Sequence, residues 1–122
     1  MNEIERALII DDDGTVRVVP LADALALIVG WIETLRFDDF GAHGYRVEMG
    51  ESASTFPNAL ATALWRTGSM TTSPIPPPDH VLNGRVVIVG GTPFDQVCGL
   101  TEEQRTDLLD AIELCRHLLT HE

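Results

Sequence analysis

The sequence predicts an α+β fold with a mainly antiparallel sheet, and three features carry that expectation. Asp13-Gly14 lies between two short apolar runs, which is a hairpin signal. The run Arg85-Val86-Val87-Ile88-Val89 suits a central strand covered on both faces. Leu108, Ile112, Cys115 and Leu119 repeat at helical spacing behind a polar start signal. With 122 residues the chain has the size of one domain, 1–122, able to bury a core without staples.

The elements follow in the order strand, strand, helix, strand, strand, short helix, strand, long helix. Ala7-Leu8-Ile9-Ile10 forms the first strand, and Asp13-Gly14 predicts a type I′ turn. Thr15 to Val19 returns as the second strand, and Pro20 ends it. A helix then begins near Leu21, with Leu21, Leu25 and Ile28 as its buried stripe and Gly30 as its stop. Trp31 to Phe37 reads as a strand. Glu33 shares a face there with large apolar groups, so it belongs at a sheet edge or beside an arginine.

Asp38 to Gly44 reads as a loop, with two glycines and two acids. Tyr45, Val47 and Met49 alternate with Arg46 and Glu48 in a half-buried strand. Asn58 caps a helix over Ala59 to Arg66, with Leu60 and Leu64 inward and Gly68 as the stop. The Thr, Ser and Pro-rich stretch from Ser69 to Pro78 is an extended crossing. Asn83-Gly84 turns the chain into the central strand. In the last helix Thr101 and Gln104 form a capping box, with Glu102 and Glu103 in the first turn, where the helix dipole favours them.

Charge narrows the partners. The chain carries 19 acidic and 8 basic residues, for a net charge of −11. Every basic residue is arginine. Duplex DNA and anionic membranes need cationic surfaces, so neither is an expected partner. The opening residues make no basic leader, and no run reaches the ~20 apolar residues of a membrane span, so a cytoplasmic protein is expected. Cys98 and Cys115 lack metal or redox spacing, and Cys115 falls on the inward stripe of the last helix.

Leu8 to Val16 matches the first motif of the haloacid dehalogenase-like phosphatases. That resemblance implies a magnesium-dependent phosphatase in which Asp11 is the nucleophile and a magnesium ligand, Asp13 protonates the leaving group, and Thr15 sets the turn. The chain departs from the family elsewhere. It has no lysine to steady the phosphate, and Val89 to Pro93 offers no carboxylate for the metal. The expectation is therefore a hairpin bend with no catalytic residue and no cofactor. A calcium reading of Asp11, Asp13 and Thr15 lacks the glutamate of that loop type, because Ala22 stands at its twelfth position. His117 and His121 have metal spacing, but two ligands at a helix end do not make a structural site, so no metal is expected. Gly90-Gly91 is not a dinucleotide loop.

Three further pieces are Val29-Gly30-Trp31-Ile32-Glu33, Asn58-Ala59-Leu60-Ala61-Thr62 and Gly84 to Gly90. With the hairpin before them, they resemble a small domain-of-unknown-function family of bacteriophages and actinobacterial and plasmid genomes, with one glycine fewer before Trp31. The resemblance implies a phage or mobile-element setting and a small stand-alone α+β protein, with no chemistry attached.

The expected function is a non-enzymatic, acidic binding protein that sequesters or blocks a host factor. Two targets suit it. A small nucleotide-like ligand would sit among Arg46, Arg66 or Arg85, with Trp31, Tyr45 or Trp65 stacking, and Glu33 and His43 exposed near the same loop. The alternative is mimicry of DNA, in which a nucleic-acid-binding host protein meets the acidic stripe Glu103, Asp107 and Asp110. Leu114 and Leu118 fall beside that stripe and are expected at an interface, with a homodimer as one form of it.

Overall fold

The structure is a computed structural model that describes residues 5–28, 31–47, 57–68, 81–91 and 97–120, with only the backbone at 31, 32 and 38. The five strands are β1 (Arg6–Ile10), β2 (Val16–Pro20), β3 (Trp31–Phe37), β4 (Ala42–Val47) and β5 (Arg85–Gly90). The helices are α1 (Leu21–Ile28), α2 (Ala59–Gly68) and α3 (Glu102–Thr120). The strands form one sheet in the order β2-β1-β5-β4-β3, with every neighbouring pair antiparallel. The α+β class and the ββαββαβα order are those the sequence predicts. Capping and pairing signals agree with the hydrophobic pattern at most elements, which is why the order was readable.

The apolar run of β5 has its physical reason in the topology. β5 lies between β1 and β4, and Val86, Val87, Ile88 and Val89 are all fully buried. Side chains alternate across the sheet. Leu8, Ile10, Leu35, Phe37, Val86 and Ile88 pack on the face covered by α2 and α3. Ala7, Ile9, Tyr45, Val47, Val87 and Val89 pack on the face covered by α1. The sheet therefore divides the core into two separate clusters.

The hairpin is a correction to the predicted turn. A type I′ turn needs positive φ at both central residues, and among the described residues none other than glycine has positive φ. Instead Gly14 N–H donates to Asp11 O at 3.0 Å and Asp11 N–H to Thr15 O at 2.9 Å. This is a three-residue loop, Asp12-Asp13-Gly14, whose last residue alone is left-handed, at φ +88°. Glycine adopts that conformation without steric cost, so one glycine suffices.

β4 begins at Ala42, so His43 and Gly44 belong to a strand and not to the predicted loop. A short 3₁₀ turn over Asp38–Phe40 and Gly41 make the reversal instead. Gly44 reads as a loop signal, but its reason is close packing. A Cβ there would lie 2.9 Å from Val87 O and 3.0 Å from the Phe37 ring. α2 also runs two residues past its predicted end. Gly68 is its last residue, and a Cβ there would meet the Phe40 ring at 2.7 Å.

In α1 the buried residues are Leu21 and Ala24, while Leu25 is exposed. Leu27 and Ile28 pack partly buried against the same cluster, so the stripe runs through Ala24 rather than Leu25. In α3 Leu108, Ile112 and Cys115 are buried as predicted, whereas Leu119 is 41 % exposed. Burial raises the Cys115 thiol above its ordinary range. We expect iodoacetamide to modify exposed Cys98 at once and Cys115 only on unfolding, as read by mass spectrometry. Gly30, Met49, the Ser69–Pro78 crossing and His121 lie outside the described residues.

Both predicted caps form. Thr101 N–H donates to Gln104 Oε1 at 2.9 Å, and Gln104 N–H donates back to Thr101 Oγ1 at 3.0 Å. Asn58 Oδ1 accepts from Ala61 N–H at 3.0 Å. Its Nδ2 also donates to Ile10 O at 3.0 Å and Gly84 O at 2.7 Å. One buried amide thus joins β1, the turn before β5 and the start of α2.

Candidate functional site

The hairpin tip shows what its aspartates can do. Asp11 follows the last residue of β1, which is antiparallel to both neighbours. Arg17 stands opposite Ile9 in the register, and Arg85 directly precedes Val86, the partner of Ile10. Arg17, Arg85 and Asp11 therefore project together on the α1 side. Arg85 Nε donates to Asp11 Oδ1 at 2.6 Å, and Arg17 Nη2 lies 3.3 Å from Oδ2. Both carboxylate oxygens are engaged by guanidinium groups. Attack on phosphorus would require one of them to be released.

Asp13 Oδ1 accepts from Thr15 N–H at 2.9 Å. That backbone hydrogen bond, the Thr15 hydroxyl and the nearby Arg17 charge hold its carboxyl below the ordinary range. Asp13 is therefore ionised near neutrality, the wrong state for protonating a leaving group. The hydrogen bond to Thr15 contributes stability above the ordinary aspartate range. That contribution is lost as pH falls through the lowered pKa. Among the described residues, no group of three His, Cys, Asp or Glu side chains is placed to hold a metal ion.

The residues expected around a nucleotide do not converge. Arg46 and Glu33 are paired across β3 and β4, 3.1 Å apart and partly exposed, on the face covered by α2 and α3. Glu33 thus has both features its pattern implies, an edge strand and an arginine partner. Trp65 belongs to the core cluster of that same face. Tyr45 and Arg85 lie on the other face, with the sheet between. Arg66 is partly buried on α2. Trp31 begins β3, and its side chain lies outside the described residues.

His43 is a correction of a different kind, because it is wholly buried rather than exposed. Its Nδ1 lies 2.8 Å from Gly91 O and its Nε2 lies 3.0 Å from the Tyr45 hydroxyl. A carbonyl only accepts, so Nδ1 carries the hydrogen and Nε2 accepts from Tyr45. Burial raises the Tyr45 hydroxyl above its ordinary range, so it keeps the proton it donates. The pair ties β4 to the end of β5 and has both ring nitrogens engaged.

The outer face of α3 is where the predicted residues do come together. Glu103, Asp107, Asp110, Leu114 and Leu118 are spaced by three or four residues, so they form one stripe. All five are exposed, with Leu114 at 57 % and Leu118 at 62 %. No helix among the described residues is long and apolar enough to cross a membrane.

A cleft at the C-terminal end of α3 has no counterpart in the sequence reading. It holds about 290 Å³ between the hairpin tip, the start of α2 and the last turn of α3. Leu60, Ala59, Pro57 and Leu119 give it an apolar floor, and Asp12 and Asp13 line one side. Arg116 Nη2 donates to Gly14 O at 2.8 Å and ties the helix end to the hairpin. Its walls come from three segments far apart in the chain, so no local sequence pattern reveals it.

No family model, curated protein or solved structure matches this chain.

Proposed function

We propose that this is a non-enzymatic, acidic binding protein that blocks a basic partner protein through the outer face of α3. The observation that carries the reading is the stripe from Glu103 to Leu118. Three carboxylates and two leucines stand exposed on one helix face of a chain with net charge −11. Negative charges arrayed along a helix meet the cationic surface that a nucleic-acid-binding protein presents to phosphates. The leucines add apolar area that such a contact would remove from water. A phage or mobile-element product that neutralises a host nucleic-acid-binding protein fits this chemistry. The arrangement of the other candidate residues favours it over a nucleotide pocket, since Arg46 and Arg85 lie on opposite faces of the sheet.

The test is calorimetric titration against a panel of basic nucleic-acid-binding domains over a salt series. We expect at least one complex whose affinity falls steeply with salt, as phosphate-mimicking charge requires. Neutralising Glu103, Asp107 and Asp110 together, as glutamine and asparagines, should weaken it by about tenfold or more. A thermal-shift screen over nucleotides with magnesium supplies the counter-test. A single nucleotide that raises the melting temperature, together with no salt-sensitive protein complex, would defeat the reading. So would magnesium-dependent phosphoester hydrolysis that Asp11→Asn abolishes.

A further inference from the structure

We infer that the cleft at the C-terminal end of α3 is an anchor pocket that takes one apolar side chain from a cationic, amphipathic segment of the partner. This rests on the reading of the α3 face as the contact surface, and it adds a second point of attachment. Leu119 belongs to the inward stripe with Leu108, Ile112 and Cys115. Those three are buried, and Leu119 is 41 % exposed because it overhangs an open cleft. Leu60, Ala59 and Pro57 complete an apolar floor. At about 290 Å³ the space lies at the lower end of ligand pockets, so it suits a side chain rather than a whole cofactor. Buried apolar anchors of this kind carry a large share of the energy in protein contacts.

Charge selects the occupant. Asp12 and Asp13 line one side of the cleft. Glu103, Asp107 and Asp110 precede Leu114 and Leu118 along α3. The cleft thus has two carboxylates in its lining, and three more stand on the outer face of the same helix. Arg116 is the cation at the cleft, and it is engaged with Gly14 O. A second copy of this acidic chain would set like charges against these carboxylates, which costs affinity. A segment with a central apolar residue and flanking lysines or arginines matches both features.

The probe is a synthetic amphipathic helix of lysine and leucine with a fluorophore, read by anisotropy at low salt. Ala59 is exposed at the start of α2, so Ala59→Trp fills the cleft without entering the core. With an unchanged melting temperature, Ala59→Trp is expected to weaken the peptide by about tenfold. Alanine in place of the central leucine of the peptide should cost the same factor on the native protein and nothing more on Ala59→Trp. Native affinity in Ala59→Trp, with binding lost in a Leu114→Ser, Leu118→Ser variant, would overturn the anchor pocket and leave the α3 face standing. Affinity that neither variant moves would overturn both.

Discussion

Asn58→Ala should lower the unfolding free energy by about 3–5 kcal/mol, the largest loss expected from any polar residue among those described. The amide is fully buried and makes three side-chain hydrogen bonds, to Ile10 O, Gly84 O and Ala61 N–H. Alanine removes all three and takes the amide partner from two carbonyls and one helix N–H. A buried group that loses a partner costs about 1–3 kcal/mol, and the lost cap alone about 1. Local relaxation recovers part of the sum. A domain of this kind is stable by only about 5–15 kcal/mol, so the loss takes from about a fifth to all of its stability. Asn58→Asp distinguishes capping from clasping. It keeps the acceptor for Ala61 N–H but has no donor for Ile10 O or Gly84 O, and it buries a charge. We expect it to be at least as damaging as alanine in urea melts. A loss near 1 kcal/mol for alanine with little or none for aspartate would mean that Asn58 is only a helix cap.

Asn58 also shows how far a sequence can be read. Its role as a cap is local, because acceptor and donor are three residues apart, and the pattern shows it. Its two other bonds join residues 48 and 26 positions away, and no spacing rule reaches that far. The same division runs through the chain. The Thr101–Gln104 box and the apolar run of β5 are local signals, and both form as read. Gly41 and Gly44 look identical in the sequence, but only Gly41 needs a left-handed backbone, at φ +64°. Gly44 is required by the approach of Val87 and Phe37, which is a tertiary fact. The sequence pattern makes both loop residues, whereas β4 begins at Ala42 and His43 is buried. The expected pocket failed to assemble for a related reason. Sequence shows which residues could bind a ligand, whereas the register of β4 against β5 decides which face each one takes. The α3 stripe escaped that difficulty, because its five members lie on one element and need no register to align.

His43→Phe is the second large effect. Phenylalanine fills nearly the same space and is apolar, so a histidine that only filled volume would be replaced at little cost. The structure makes the opposite expectation, a loss of about 2–4 kcal/mol. His43 Nδ1–H is the donor to Gly91 O, and Nε2 is the acceptor for the Tyr45 hydroxyl, both in a region with no exposed surface at the ring. Without the ring nitrogens, Gly91 O loses its donor and the Tyr45 hydroxyl loses its histidine acceptor. Tyr45→Phe separates these two terms. Deleting the hydroxyl from the His43→Phe background removes one of the groups left without a histidine partner, so the double variant should lose less than the sum of the singles. The coupling expected from a buried hydrogen bond of this kind is about 1 kcal/mol. Additive losses would mean that the two side chains merely touch. A His43→Phe variant as stable as the native chain would remove the histidine from the framework and return it to the set of residues available for binding.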